Sequence, residues 1–265
     1  MISQSQRFVF WALVAFSVVI LSVPTIIVVG ASFTAGNIIA FPPEGLSVKW
    51  YEKIALARDL RQAFWRSLLV SFVCLIVSVP VGTLAGIALT RYRLRFTNAL
   101  QVYLLLPFTI PLIGSGIGMM LVFGSWGLLG SVWPVGVACA VINLPFIIWS
   151  VSSSAAALDS DLELAAANCG AGRIETFLHV TLPGVMPGVI TGGLLMFVLA
   201  MTEFLVSLLL TDARTVTLPV QIYNSIRSII TPDLAAVSSI FVVLALFAVW
   251  LLDRLVGLEI FLKSK

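Results

Sequence analysis

Residues 160–183 read SDLELAAANCGAGRIETFLHVTLP. Ser160 with Glu163 three residues later matches a capping box, in which the hydroxyl accepts a backbone N–H at a helix start and the carboxylate reaches back. The spacing predicts a short helix through Leu164, Ala165, Ala166 and Ala167 that stops at Gly170, since glycine enters the left-handed conformation that ends helices without a Cβ penalty. Residues 173–180 then restart as a second short helix leading into Leu182 and Pro183. Small side chains let such a helix sit deep in a partner's groove, and a rigid rod transmits displacement that a floppy loop absorbs. The pattern is that of a docking element; the alternative is a solvated connector that only covers the ends of the neighbouring helices.

Outward from this stretch the chain is poor in charge. Of 265 residues 60% are hydrophobic and 10% charged, against roughly 45–50% and about 25% in an average soluble domain. The mean hydropathy is +1.11. Such a surface suits hydrocarbon, not water. The net charge of +3 is too small and too spread out to mark a nucleic-acid binder, and long polar tracts are absent.

A spanning helix needs about 20 apolar residues, and charge near the bilayer centre is costly. The charge-free intervals therefore predict an all-α integral membrane protein, a single transmembrane domain over residues 1–265 with six transmembrane helices at about 8–30, 67–90, 99–123, 132–154, 183–210 and 234–252. The first run exceeds a signal-peptide core of about 7–15 residues and reads as a retained anchor, although residues 31–35 faintly resemble a cleavage site. Gly124, Trp126, Gly127, Gly130 and Pro134 mark the turn between spans three and four. Six spans put both termini on one side. The dense basic turn of Arg91, Arg93 and Arg95 favours a cytoplasmic location for it, and hence for the N- and C-termini, Lys263 and Lys265 included. The loop at about 155–182 is then cytoplasmic. Residues 44–66, with mixed charges and Trp50, are too polar for lipid and are expected along the outer face.

Gly82 with Gly86, Gly114 with Gly118, and Gly184 with Gly188 and Gly192 recur at the spacing that lets membrane helices approach closely. Pro107, Pro111 and Pro187 predict kinks. Cys74, Cys139 and Cys169 form no CxxC pair, and His179 lacks partners at ligand spacing, so no metal or disulfide site is expected.

With its glycine-centred loop the sequence resembles the type I permease subunits of binding-protein-dependent ABC importers. Ala165 and Ala166 precede Gly170 and Ala171 at the family spacing, and Phe177, Val180, Leu182 and Pro183 follow at the expected distances. The resemblance departs at one position. The motif glutamate is replaced by Leu164, while Glu163 sits one residue earlier and about 100° around the helix. The acidic contact to the ATPase is thus either absent or shifted to Glu163. Thr202-Glu203-Phe204 and Thr217-Leu218-Pro219-Val220 look like segments of the spermidine/putrescine-type subgroup, whose relatives also handle amino-acid derivatives, iron and organophosphonates.

The resemblance implies a heterodimer of this chain with a second, related permease subunit, two ATPase subunits that carry ATP and Mg, and a solute-binding protein on the outer face, in a bacterial inner membrane. This chain itself is expected to bind no cofactor and to be no enzyme: it lacks a phosphate-cradling GxxxxGK[ST] loop and the GxSxG and HExxH motifs. Implied ATPase-coupling residues are Glu163, Ala165, Ala166, Gly170, Ala171, Arg173, Phe177, Leu182 and Pro183. Glu203 is an acid within a predicted span, a position usually turned to the bundle interior or a wet cavity; the alternative is that it lies nearer the outer interface, about a turn or two from Asp212, and marks the end of span five. A carboxylate with a neighbouring hydroxyl and π face suits an amine-bearing solute, so Thr202, Glu203 and Phe204 are the pathway candidates. A proton-coupled transporter using Glu203 is the alternative from another class. It has no need of a capped docking helix.

Overall fold

The structure is a computed structural model that describes residues 4–92, 97–228 and 231–256. Arg93, Arg95, Lys263 and Lys265 of the orientation argument lie outside the described residues. The helices are α1 (Gln4–Ser32), α2 (Lys49–Leu56), α3 (Arg58–Arg91), α4 (Thr97–Thr109), α5 (Leu112–Ser125), α6 (Trp133–Ala157), α7 (Ser160–Asn168) and α8 (Arg173–Thr176). A π-helical turn (Phe177–Thr181) follows, then α9 (Leu182–Thr202), α10 (Leu205–Leu210), α11 (Leu218–Ser228) and α12 (Pro232–Val256). The only β feature among the described residues is an isolated bridge between Thr34 and Leu46.

Among the described residues, four stretches are long and apolar enough to cross a membrane: Arg7–Ser32, Arg58–Arg91, Trp133–Ala157 and Arg173–Thr202. Leu112–Ser125 and Pro232–Phe247 are apolar but shorter. Phe8, Trp11 and Phe16 of α1 are all exposed, as a helix surrounded by lipid requires.

Two expected spans are not continuous helices. The run at 99–123 breaks between α4 and α5, where Pro111 takes an extended backbone (φ −51°, ψ 130°). Proline has no N–H to continue the ladder and disfavours helical geometry in the residue before it. The run at 183–210 breaks at Glu203, also extended (φ −68°, ψ 120°), leaving α10 as a separate six-residue helix. Conversely, the second short helix of the loop does not end before span five. It passes through the π turn into α9. A proline leaves the carbonyl one turn back without its usual donor, and here the chain passes Pro183 by widening, with the Leu182 N–H bonded to the Phe177 carbonyl.

The chain forms two compact units, one running to Arg61 and resuming from Ile222 to Leu246, the other running from Gln62 to Gln221 and taking in the described residues from Phe247. In the first unit, Trp50 of α2 is buried and its Nε1–H donates to the Thr34 carbonyl at 2.9 Å. The Tyr51 hydroxyl lies 2.7 Å from both Ser32 Oγ and Ser239 Oγ, and Lys53 pairs with Asp233 at 2.9 Å. The expectation for 44–66 is thus divided: α2 folds onto its own unit, while residues 58–66 already belong to α3. At 34 residues, α3 is about 50 Å long, well beyond the ~30 Å hydrocarbon thickness.

In the second unit α6 is the central helix, with Val135, Ala138, Cys139, Ile147, Val151 and Ala155 fully buried. Lipid tails are as apolar as leucine, so helices in a membrane associate through close packing and interhelical hydrogen bonds. The glycine faces supply both. A Cβ on Gly188 would stand 2.5 Å from the Ser150 carbonyl oxygen, and one on Gly86 2.9 Å from that of Ile148. Ser150 Oγ donates to the Gly188 carbonyl at 2.8 Å, and Ser152 Oγ to that of Gly86 at 3.2 Å. The Gly114 and Gly118 pair does not share this role: a Cβ at Gly118 would meet nothing within 4 Å.

Candidate functional site

Two places in the second unit carry the predicted site residues, the loop between α6 and α9 and the break at Glu203. In the loop α7 is capped by Asp159, whose Oδ1 accepts the Asp161 N–H at 2.9 Å. This corrects the capping box expected at Ser160. A residue with an extended backbone and a side-chain acceptor is needed, and Asp159 (φ −63°, ψ 124°) meets both conditions one position earlier. The glycine stop is as expected. Gly170 has φ +92°, and the Ala171 N–H bonds to the Ala166 carbonyl at 3.0 Å, the long-range bond of a Schellman ending. Glu175 Oε2 then accepts the Gly172 N–H at 3.0 Å and starts α8.

Among the loop residues, Ala165, Gly170, Arg173 and Pro183 are exposed, Ala166 and Ala171 half-buried. Phe177 and Leu182 pack inward on the core around α6 and α9. Glu163 also turns inward, accepting the Thr181 hydroxyl at 2.8 Å and facing Arg91 at 3.5 Å. Leu164 is 62% exposed, and Leu162, Ile174 and Leu178 are exposed with it. His179 is exposed, its Nδ1 3.0 Å from the Glu175 carbonyl.

Glu203 lines a cavity of about 400 Å³ together with Thr109, Ile110, Pro111, Leu112, Asn143, Phe146 and Leu199. The two helix breaks, at Pro111 and at Glu203, thus meet at one space. The Glu203 carboxylate also accepts the Val206 N–H at 3.1 Å, satisfying one of the first-turn donors of α10. Thr202 is exposed, its hydroxyl directed back to the Val198 carbonyl at 3.0 Å, and neither Thr202 nor Phe204 lines the cavity. Asn143 and Phe146 were missed by the sequence reading. Asn143 carries a legible signal, a carboxamide inside a predicted span; Phe146 carries none, since an aromatic residue there reads equally as core. A second, apolar groove of about 580 Å³ runs along α4, α5 and α6 past Pro107, Gly118 and Ile142.

Residues 78–257, which hold both places, match the binding-protein-dependent transport system inner membrane components, and the chain belongs to that family. It is therefore a permease subunit of an ABC importer, not an enzyme, and its partners are those of an ABC transporter, an ATPase and a binding protein. Over 226 residues it is 28% identical to the spermidine/putrescine transport system permease protein PotC of Haemophilus influenzae, covering 85% of this chain and 88% of that protein. Over 193 residues it is 32% identical to the molybdenum transport system permease protein ModB of Mycobacterium bovis, covering 67% and 71%. A solved bacterial ABC transporter that imports the acidic polysaccharide alginate contains a chain of the same fold, with a TM-score of 0.72 over 96% of this chain and 99% of that one at 15% identity.

Proposed function

We propose that this chain forms half of the translocation pathway for a small cationic amine of the polyamine kind, paired with a second, related permease and driven by two ATPase subunits that grip the 155–182 loop on the cytoplasmic side. One observation supports the reading most directly. The stretch Arg173–Thr202 is a single helical rod of 30 residues, about 45 Å long, that begins beside the α7 docking helix and ends at the Glu203 break. Displacement of the loop is carried along that rod to the cavity. ATP and Mg stay on the ATPase. The exposed Leu164 and Ile174 with Ala165 make the surface offered to it, and Phe177 and Leu182 tie that surface to the core.

At the cavity, a carboxylate beside a carboxamide and a hydroxyl suits an ammonium group, which gains charge-assisted hydrogen bonds. Kinship with PotC supports the same solute class. Kinship with ModB points to molybdenum instead, which as the molybdate anion would be repelled by the Glu203 carboxylate. Uptake of labelled spermidine and molybdate into cells expressing the whole transporter separates the two: the amine reading expects spermidine uptake that falls about tenfold in Glu203→Gln. Equal uptake by mutant and wild type removes Glu203 from the pathway. Gly170→Val, strained at φ +92°, leaves membrane insertion intact and abolishes stimulation of the ATPase by loaded binding protein; unchanged stimulation refutes the coupling role.

A further inference from the structure

The α7 helix has no buried residue, yet it is held to the bundle at one charged point. Arg91 stands in the last turn of α3. Its Nη2–H donates to the carbonyl of Leu158 at 2.9 Å, the capping residue of α6, and so serves one of the terminal carbonyls that a helix leaves without a partner. Its Nε lies 3.5 Å from Glu163 Oε1 on α7. The same oxygen accepts the hydroxyl of Thr181 at 2.8 Å, and Thr181 is itself buried at the entrance to α9. The Arg91 and Glu163 side chains are only 18% and 25% exposed. Four helix ends therefore converge on one guanidinium and one carboxylate.

From this geometry we propose that Arg91, Glu163 and Thr181 form an internal strut that fixes the docking helix to the ends of α3 and α9, so that a push on α7 moves these helices as one body. Arg91 and Glu163 are positioning residues. The strut also decides the alternative left open by the sequence: Glu163 is spent inside this chain and does not serve the ATPase, which meets the exposed Leu164 instead. A flexible connector with the same sequence of elements would let α7 tilt and dissipate the stroke. A half-buried ion pair with an added hydrogen bond resists tilting because separating its partners leaves charge uncompensated away from water.

The inference rests on the reading of the loop as the coupling element, and its test keeps the two apart. Cys169, at the end of α7, is exposed while Cys74 and Cys139 are buried, and Tyr92 beside Arg91 is exposed. Nitroxides on Cys169 and on Tyr92→Cys report the distance from docking helix to α3 in the full transporter in nanodiscs, with and without ATP and EDTA. The strut predicts one narrow distance that ATP shifts by no more than about 2 Å, whereas in Glu163→Gln and Arg91→Met the distribution broadens and ATP moves it by about 5 Å, with the ATPase still copurifying. The exchange Arg91→Glu with Glu163→Arg restores the narrow distance. A narrow, ATP-insensitive distance in Glu163→Gln overturns the strut, as does a charge exchange that folds, holds the ATPase and stays broad. Failure of the ATPase to copurify with the unsubstituted chain overturns the coupling reading itself, and the strut with it.

Discussion

The packed seam of α6 and the space beside the two helix breaks are built on opposite principles. In the seam, α3 and α9 press glycine faces against α6 so closely that added carbon atoms meet backbone at Gly188 and Gly86, and serine hydroxyls bridge to the glycine carbonyls. At the breaks, Pro111 and Glu203 interrupt the helices, and a cavity and a groove of about 400 and 580 Å³ remain beside them. Close packing gives a lever that does not bend. Broken helices give a wall whose freed backbone and polar groups line a cavity, the one place in a membrane where irregular backbone is tolerated. This chain keeps both against one central helix, with α9 packed along α6 and ending at the cavity.

The contrast can be broken most strongly at the seam. Gly188→Ala forces α6 and α9 apart and is expected to cost about 2–3 kcal/mol, seen as a lower thermal midpoint of the purified protein in detergent; a change near zero would show that the contact is loose. At the break, Glu203→Ala removes the carboxylate that serves the Val206 N–H and should cost about 1 kcal/mol, while Glu203→Gln, which keeps an acceptor, should leave the midpoint in place. A smaller effect is expected at Asp212, beyond the end of α10. The Thr215 hydroxyl and the Arg214 backbone N–H hold its carboxyl below the usual carboxylate value. Its contribution is thus fully present above that usual value and is lost as pH falls through the lowered one, so Asp212→Asn should lower the thermal midpoint slightly at pH 7, and the difference from the parent should vanish in acid. The smallest effect belongs to Gly118→Ala, which fills open space and should stay within about 0.5 kcal/mol of the parent. Equal losses at Gly118 and Gly188 would erase the distinction between the packed seam and the open space beside the breaks.

The medium, the helical class and the glycine-stopped loop were legible in the residues, because these depend on local quantities: the length of apolar runs, the absence of charge, and a glycine at a position that only a left-handed residue satisfies. Gly170 was legible for that reason, as were the glycine faces of α3 and α9. The breaks at Pro111 and Glu203 were legible only as kinks and as an isolated acid. That they meet at one cavity with Asn143 and Phe146 was decided by the packing of α4, α5 and α9 around α6, since residues about 30 to 95 positions apart approach only when helices are laid side by side. The same holds for Glu163. Its spacing from Ser160 fitted a local cap, but Asp159 took the cap, and the carboxylate found Arg91 and Thr181 across the fold, because an acid half removed from water gains more from a cation and a hydroxyl than from a single backbone N–H.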